Sequence, residues 1–404
     1  MSPGVVVVLL TLLLGVQPIT TDLYLPALPT LRADLGASMS ASQLTLSALI
    51  ICFGLSQLVC GPLADRFGRR PVLLGGLALY TVASVLSALS QSIEALILWR
   101  SLQGVAMAAA VTCGRSIVRD LYPPHEGAQV MSRGLTGLGV LAMLSPLTGG
   151  VLVHFFDWHI ALTAVAVFGA LSLGFVAIRF VETVPHRNPQ ATQPGPLLRN
   201  WAAVVNNPTF RAWTLLSGAA YGGLFFVLAG SSFVYIEVLG LSRMGYGLAM
   251  MSGSVAYVLG TMLCRRLLLR HGLRGAVQRG AYLTLAGGLG MAALSLAGVH
   301  TVWAVLVPQW VFSLGHGVHQ PCGQAGAVGP FPEKAGTAAS LSGFFMMLCA
   351  FGVGQLLGRT MNGTVYPMTL GVGAASVVLA TIAWTLVLRH GDPAAARPAV
   401  TATA

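Results

Sequence analysis

Two charged side chains in otherwise apolar segments are the first candidates for chemistry in this sequence. Asp22 lies near the end of an apolar run that begins at Gly4, and Arg100 lies in a second run that begins near Ala95. A charge at either place costs about 2.5–3.5 kcal/mol on membrane-insertion scales, so a chain that keeps it there is expected to use it. One buried acid and one buried base predict a proton-linked or ion-linked membrane function.

The composition predicts the fold class. Hydrophobic residues make up 55% of the chain, charged residues only 8%, and the mean hydropathy is +0.78, whereas a soluble domain has about 25% charged residues. Twelve apolar runs are long enough to cross about 30 Å of hydrocarbon. They start near Gly4, Ala41, Val72, Ala95, Gln129, His159, Arg211, Gly245, Gly280, Thr301, Ala335 and Tyr366. We therefore predict an all-α polytopic membrane protein.

The distribution of arginines explains the net charge of +11. With the N-terminus inside, the cytoplasmic loops collect most arginines, and the outside loops hold only Arg32, Arg243 and Arg359. This positive-inside pattern predicts a multi-pass protein of the bacterial inner membrane with both termini in the cytoplasm. No Lys or Arg precedes the first span, so it is not expected to be a secretory signal. A basic membrane-surface patch is the alternative.

The longest polar stretch divides the chain. It lies between Glu182 and Pro208 and is rich in Pro, Asn and Gln, which is typical of a linker. Six spans precede it and six follow, which predicts bundles at 1–181 and 210–390, joined by a cytoplasmic linker at 182–209. An amphipathic piece at 197–205 is expected at the membrane surface. The tail at 391–404 is predicted to be disordered.

The two halves share a faint repeat between their second and third spans. Residues 64–70 read ADRFGRR and residues 268–274 read LLRHGLR, so the glycine and arginines recur while Asp65 is replaced by Leu269. Parallel halves related by an axis along the membrane normal are one transporter architecture, with the substrate near the midplane between them.

Four motifs give the chain a family resemblance. Residues 61–71, GPLADRFGRRP, resemble the signature loop of the major facilitator superfamily, and residues 99–104, WRSLQG, resemble the fourth-helix motif of its proton antiporters. Residues 21–29, TDLYLPALP, resemble the first-helix signature of the bicyclomycin and chloramphenicol resistance (Bcr/CflA) group, which RDLY at 119–122 also fits. The resemblance implies the major facilitator fold, with twelve helices in two pseudo-symmetric six-helix bundles.

The first motif is expected to form a cytoplasmic gate, which in this family latches the halves together in the outward-facing state. Its residues are Gly61, Asp65, Arg66, Gly68, Arg69, Arg70 and Asp120. The glycines permit tight turns, Asp65 can accept bonds from a neighbouring helix N-terminus, and Asp120 is the natural partner of one arginine. The missing acid in the second copy predicts a full latch in the first half only. A plain topogenic loop is the alternative.

Asp22 and Arg100 fall at comparable depth in the outer half of their helices. Asp22 lies roughly 27 Å along the first helix, and Arg100 lies about five residues into a helix that runs inward. We therefore expect the two side chains to couple, so that protonation and substrate binding compete. The resemblance implies proton coupling for Arg100 and a substrate or proton acid for Asp22. A static ion pair, or Asp22 capping a chain end, remains open.

The fifth span reads LSPLTGG at 144–150 and resembles the GPxxGG motif of exporters, although Ser145 replaces a glycine and Leu141 replaces another upstream. Ser145, Pro146, Gly149 and Gly150 are expected to provide a bend and close packing against a partner helix.

A polar stripe on the tenth span predicts a water-filled cavity, with aromatic residues forming an apolar part of it. The stripe consists of Gln309, Ser313, His316, Gln320 and Gln324. The candidate cavity-lining residues are Tyr24, Gln103, Met107, Tyr221, Phe225, Tyr257, Gln309, His316, Gln320 and Phe344. His316 could titrate in the cycle. A neutral, hydrogen-bonded histidine and core-packed aromatics are the alternatives.

Neither an enzyme nor a channel is predicted. His316 and His319 have no acid beside them, the six cysteines are scattered singly, and no nucleophile elbow or phosphate loop is present. The prediction is a monomeric proton-coupled exporter of drug-like compounds, of phenicol, bicyclomycin or multidrug type, with protons as coupling ion, no cofactor or metal and no nucleic-acid partner. An exporter of a siderophore or metabolite, and a proton-driven importer, are the alternatives.

Overall fold

The computed structural model describes residues 1–184 and 187–392. Several helices of the first half start at residues that satisfy their first N–H groups: the side chains of Ser38, Ser92 and Asp157 accept from the N–H three residues further on. The helices of this half are α1 (Pro3–Thr21), α2 (Leu28–Asp34), α3 (Met39–Phe67), α4 (Arg69–Ala88), α5 (Ile93–Leu121), α6 (Pro124–Phe155) and α7 (Trp158–Arg179).

A short helix of the linker, α8 (Pro194–Val205), leads to the second half, where α9 continues as a π-helix over Phe233–Val238. The predicted amphipathic piece falls on α8. The remaining helices are α9 (Pro208–Ser232), α10 (Arg243–Leu296), α11 (Val302–Val328), α12 (Ala335–Thr360), α13 (Tyr366–Trp384) and α14 (Leu386–His390). The predicted disordered tail falls almost entirely on 393–404, which lie outside the described residues.

Helix α10 runs through the second half twice because it breaks at Gly272, which has φ 66° and ψ −174°. A Cβ at Gly317 of α11 would touch Tyr257 and Gly260, and a Cβ at Gly315 would touch Thr284. Segments on both sides of Gly272 therefore flank the same part of α11, so the chain reverses direction there. Gly68, between α3 and α4, has φ 104°, so both copies of the sequence repeat turn at their glycine.

Ten helices among the described residues are long and apolar enough to cross a membrane. One of them, α10, makes two passages, and α11 falls outside this set because it carries the polar stripe. The described residues therefore make twelve passages, six before α8 and six after it, and they contain no strand. The predicted all-α polytopic fold is confirmed. The ninth predicted span, which starts near Gly280, lies in the part of α10 that follows Gly272.

The two halves contact each other along α3 with α12 and along α6 with α10. We call the end of the bundle that carries α8 the linker face and the end that carries α2 the opposite face. Near the opposite face the amide of Gln43 donates to the Ala229 carbonyl at 2.7 Å, and a Cβ at Gly150 would lie 2.5 Å from the Arg243 carbonyl oxygen. Near the linker face, Arg115 and Gln324 are exposed. The structure is closed at the opposite face.

The closure depends on the absence of a side chain at Gly150, and this is testable. We expect Gly150→Val to separate α6 from α10 and to open the opposite face, at a cost of about 1–3 kcal/mol for overpacking. Gly139→Val is the matched control, since a Cβ at Gly139 of the same helix meets nothing within 4 Å. Distances between spin labels on α2 and α10 report the opening, and equal distances in both variants would contradict this role of Gly150.

Candidate transport site

Arg100 is completely buried inside the first half. Its Nη1 donates to Gln103 Oε1 at 2.7 Å, its Nη2 donates to the Thr20 carbonyl at 3.0 Å, and its Cζ lies 4.3 Å from the centre of the Tyr24 ring. The guanidinium is therefore held by two hydrogen bonds and by a cation–π contact, which favours a cation removed from water. Its Nε has no hydrogen-bond partner in the part of the chain that the structure describes.

A second layer of polar side chains fixes the groups that hold Arg100. The Tyr24 hydroxyl lies 2.7 Å from Thr45 Oγ1, and Gln103 Nε2 donates to Ser84 Oγ at 2.6 Å. The Thr20 hydroxyl lies 2.6 Å from the Tyr80 hydroxyl. The contacts join α1, α3, α4 and α5 around one buried charge, and sequence reasoning missed Thr20, Thr45, Ser84 and Tyr80. The sequence signal for these residues was the presence of hydroxyl side chains within otherwise apolar runs.

Asp22 follows the last residue of α1 and is half-buried. Thr21 Oγ1 donates to its Oδ1 at 2.7 Å, and Tyr221 and Tyr246 of the second half lie within electrostatic range of the carboxylate. The turn at Leu25–Ala27 that follows Asp22 contacts α9 and α10 of the second half. The expected direct pairing with Arg100 is wrong for this conformation, because Arg100 turns into the first bundle while Asp22 turns toward the junction of the halves. Equal depth along two helices does not determine the direction of their side chains.

The gating motif forms an ion cluster at the linker face. Arg69 is almost fully buried, its Nη1 lies 2.7 Å from Asp65 Oδ1, and its Nε lies 3.0 Å from Asp120 Oδ2. The predicted partnership of Asp120 with an arginine is confirmed. Asp65 pairs with Arg69 rather than with another helix N-terminus, so the cluster forms no ion pair with a described residue of the second half in this state. Gly68 provides the turn.

Glu182 completes this cluster and was missed in the sequence. Its carboxylate accepts from the backbone N–H groups of Arg69 and Arg70, at 2.9 and 3.1 Å, and thereby caps α4. Burial opposes its ionisation, but these bonds and those from Val184 and Thr183 hold the pKa of Glu182 below its usual range. The sequence signal for Glu182 was the position of an acid shortly after the end of a span.

The linker also lies across the motif. The N–H of Asn188 donates to the Asp65 carbonyl at 3.0 Å, and Arg66 donates to the Thr192 hydroxyl at 2.5 Å. Arg70 donates to the Phe180 carbonyl at 3.0 Å. The predicted linker therefore contacts the gate instead of only joining the bundles.

The motif at 144–150, which resembles that of exporters, packs closely as predicted, and it packs against two different segments. A Cβ at Gly149 would collide with the carbonyl of Leu23, while Gly150 faces α10 of the other half. Ser145 is buried and donates to the Leu141 carbonyl at 2.6 Å, so it fits the position of the missing glycine. Pro146 lies within α6, and its carbonyl lies 2.8 Å from where a Cβ on Gly247 would be.

The cavity-lining prediction holds only in part in this conformation. Tyr257, Gln320 and Phe344 are half-buried and keep accessible surface. The prediction is wrong here for seven residues whose side chains have 7% exposure or less. These are Tyr24, Gln103, Met107, Tyr221, Phe225, Gln309 and His316.

Two of these buried residues show what the polar stripe does instead. Gln309 accepts from the Tyr235 hydroxyl at 2.9 Å. His316 packs against the Tyr257 and Phe312 rings, with centroids 5.6 and 6.3 Å away. Within the polar stripe, exposure rises from the buried Gln309 and His316 to Gln324 at the linker face. The stripe is therefore part of the packed core near the closed face and meets water near the linker face.

An ion pair joins the halves at the opposite face. Arg32 of α2 lies 3.2 Å from Glu237 in the π-helix, and its guanidinium lies 6.0 Å from the centre of the Phe233 ring. It is the one ion pair between the halves among the residues that the structure describes. Sequence reasoning placed Arg32 in an outside loop but gave it no partner.

Two six-helix bundles closed at one face around buried charges define a multi-pass membrane transporter. The family model of the Major Facilitator Superfamily matches residues 10–354, and the chain belongs to that family. It is 29% identical to Multidrug resistance protein D of Escherichia coli (strain K12), over 83% of this chain and 84% of that protein. It is also 29% identical to a chloramphenicol resistance protein of Pseudomonas aeruginosa, over 79% and 75%.

The fold is also that of a solved transporter. The structure of the xylose transporter XylE from E. coli, in a partially occluded inward-open conformation, covers 95% of this chain and 97% of its own with a TM-score of 0.74. At 14% sequence identity, this likeness concerns the fold alone. The predicted resemblance to the bicyclomycin and chloramphenicol resistance group is confirmed by the named relatives.

The separation of Asp22 from Arg100 predicts independent effects on stability. Arg100→Ala should lower the free energy of unfolding in detergent by about 2–4 kcal/mol, because it leaves Gln103 and the Thr20 carbonyl without their partner. Asp22→Asn should change it far less. In the double variant the two effects should add to within about 0.5 kcal/mol. A larger coupling energy would show that the two side chains form one unit.

The Arg32–Glu237 pair predicts a charge-dependent closure of the opposite face. Arg32→Glu should lower the closed-to-open ratio about two- to fivefold, as expected for a partly exposed pair. Adding Glu237→Arg should restore the ratio, and high salt should reduce the difference between variants. Single-molecule energy transfer across this face measures the ratio. Failure of the double reversal to restore closure would refute the role of the pair.

Proposed function

We propose that this protein exports small drug-like compounds across the bacterial inner membrane in exchange for protons. The proposal is supported by membership of the transporter family and by relatives named for multidrug and chloramphenicol resistance. In this proposal the linker face is cytoplasmic and both termini lie inside. The closed opposite face then corresponds to an inward-facing conformation, ready to take substrate from the cytoplasm.

The position of Asp22 is the observation that carries the mechanism. It is a carboxylate at the junction of the halves, half-buried, with tyrosines of the second half in electrostatic range. Protonation removes its charge and thereby changes the interaction between the halves. A cationic or hydrogen-bonding substrate that occupies the same carboxylate competes with the proton, which is the requirement for antiport.

Arg100 has a different role in this mechanism. Its guanidinium is fixed by Gln103 and the Thr20 carbonyl, one residue from Thr21, which donates to Asp22. It therefore orients the end of α1 that carries the acid. Arg100 acts as a positioning residue through the α1 backbone rather than as the direct partner of the carboxylate.

Alternating access requires that the opposite face and the linker face close in turn. The Arg32–Glu237 pair and the Gly150 contact hold the opposite face shut, while the Arg69 cluster makes no ion pair with those residues of the second half that the structure describes. When the opposite face opens and the linker face closes, Asp65 would come within reach of the second half. One proton moving through 100 mV supplies about 2.3 kcal/mol, which sustains roughly a 50-fold substrate gradient.

Transport by the purified protein in proteoliposomes tests the proposal. We expect chloramphenicol or a fluorescent multidrug substrate to release protons from a vesicle with an imposed pH gradient, and Asp22→Asn to abolish this exchange. Glu94→Gln, an exposed acid in the first turn of α5, is the control and should transport normally. Substrate-dependent proton release by Asp22→Asn would remove the acid from the coupling mechanism. Co-transport of substrate and proton in one direction would show an importer.

A further inference from the structure

A groove outside the transport site lies on the surface of the second half near the linker face. Its volume is about 360 Å³, and it is lined by Gln278, Arg279, Tyr282, Trp384 and Leu388. These residues belong to the second passage of α10 and to α13 and α14, which pack chiefly against α9 and α10. Tyr282 is 64% exposed. The groove therefore faces the surroundings of the bundle rather than the junction of the halves.

The groove combines an aromatic wall with one cation. The Tyr282 and Trp384 rings lie 5.0 Å apart, and Trp384 Nε1 donates to the Gln278 carbonyl at 3.2 Å, which fixes the indole. Arg279 is exposed and donates from Nη1 to the Gly275 carbonyl of its own helix. No carboxylate within 1–184 or 187–392 forms an ion pair with it, so its charge is available to an anion from outside.

The depth of the groove matches the headgroup layer. Trp384 is the last residue of α13, and Tyr282 lies in the third turn after the break at Gly272. Tryptophan and tyrosine at the ends of spanning helices occupy the boundary between hydrocarbon and water. Basic pockets between such helices on the cytoplasmic side bind anionic lipid headgroups.

The fold itself does not require these side chains. When the two halves are aligned by their repeat, Gln278, Arg279 and Tyr282 correspond to Leu74, Gly75 and Ala78 of the first half. The same helix in the same position is thus built there with small or apolar residues. Placing a cation, an amide and a phenol at this site in one half only is expected of a ligand site.

We propose that the groove binds the phosphate of an anionic phospholipid. Arg279 supplies the charge that pairs with the phosphate, Tyr282 and Trp384 pack on the glycerol region, and Leu388 contacts the start of the acyl chains. The proposal does not depend on the transported substrate. It predicts that a lipid holds the second passage of α10 against α13 at the linker face.

Native mass spectrometry of the detergent-purified protein tests this site with phosphatidylglycerol, phosphatidylcholine and inorganic phosphate. The wild type should retain phosphatidylglycerol in preference to phosphatidylcholine. Arg279→Gln should weaken that retention about fivefold, which corresponds to roughly 1 kcal/mol for one arginine near the headgroup layer. Arg270→Gln is the matched control, because Arg270 is exposed on the same face and does not line the groove.

Each outcome decides the proposal. Retention that is equal in wild type and Arg279→Gln, or lost equally in Arg270→Gln, would overturn the site. Displacement of the lipid by millimolar inorganic phosphate would show that the site holds a free anion and would overturn the lipid as its occupant. Trp384→Phe keeps the packing but loses the bond to Gln278, and it should weaken retention without altering the elution volume of the folded protein.

Discussion

The arrangement of the first half depends on the burial of one guanidinium. A cation removed from water must be compensated locally, and Arg100 is compensated by an amide, a backbone carbonyl and an aromatic face. Each of these groups comes from, or is held by, a different helix, so the four helices α1, α3, α4 and α5 must keep their mutual positions. The buried charge thereby connects four of the six spans of the first half.

The two halves share backbone geometry at their sequence repeat, but they do not share all of its charged residues. Arg70 donates to a carbonyl at the end of α7, and the aligned Arg274 donates to the Leu388 carbonyl of α14, so both copies tie their third span to the end of their sixth. Asp65, which pairs with Arg69, is replaced by Leu269 in the second half. The ionic latch therefore belongs to one half, and the second half is free to carry a different surface function.

The linker joins the two halves and also contacts the gating motif. Glu182 caps α4 with its carboxylate, and the segment that follows contacts Asp65 and Arg66. The linker therefore contacts both the start of α4 and the gating motif. Because the carboxylate of Glu182 is held by several N–H donors, this attachment is retained wherever that group is ionised.

The sequence by itself determined the twelve passages, the division into halves, the turn at Gly68, and the pairing of Asp120 with an arginine. These follow from hydrophobic length, composition and a motif with its own local geometry. Only the tertiary structure decided which way Asp22 and Arg100 point, that Gln103 and Tyr24 serve the buried charge instead of a cavity, and that Arg32 meets Glu237. Those contacts join residues far apart in the chain, and side-chain direction around a helix depends on neighbours that spacing alone does not specify.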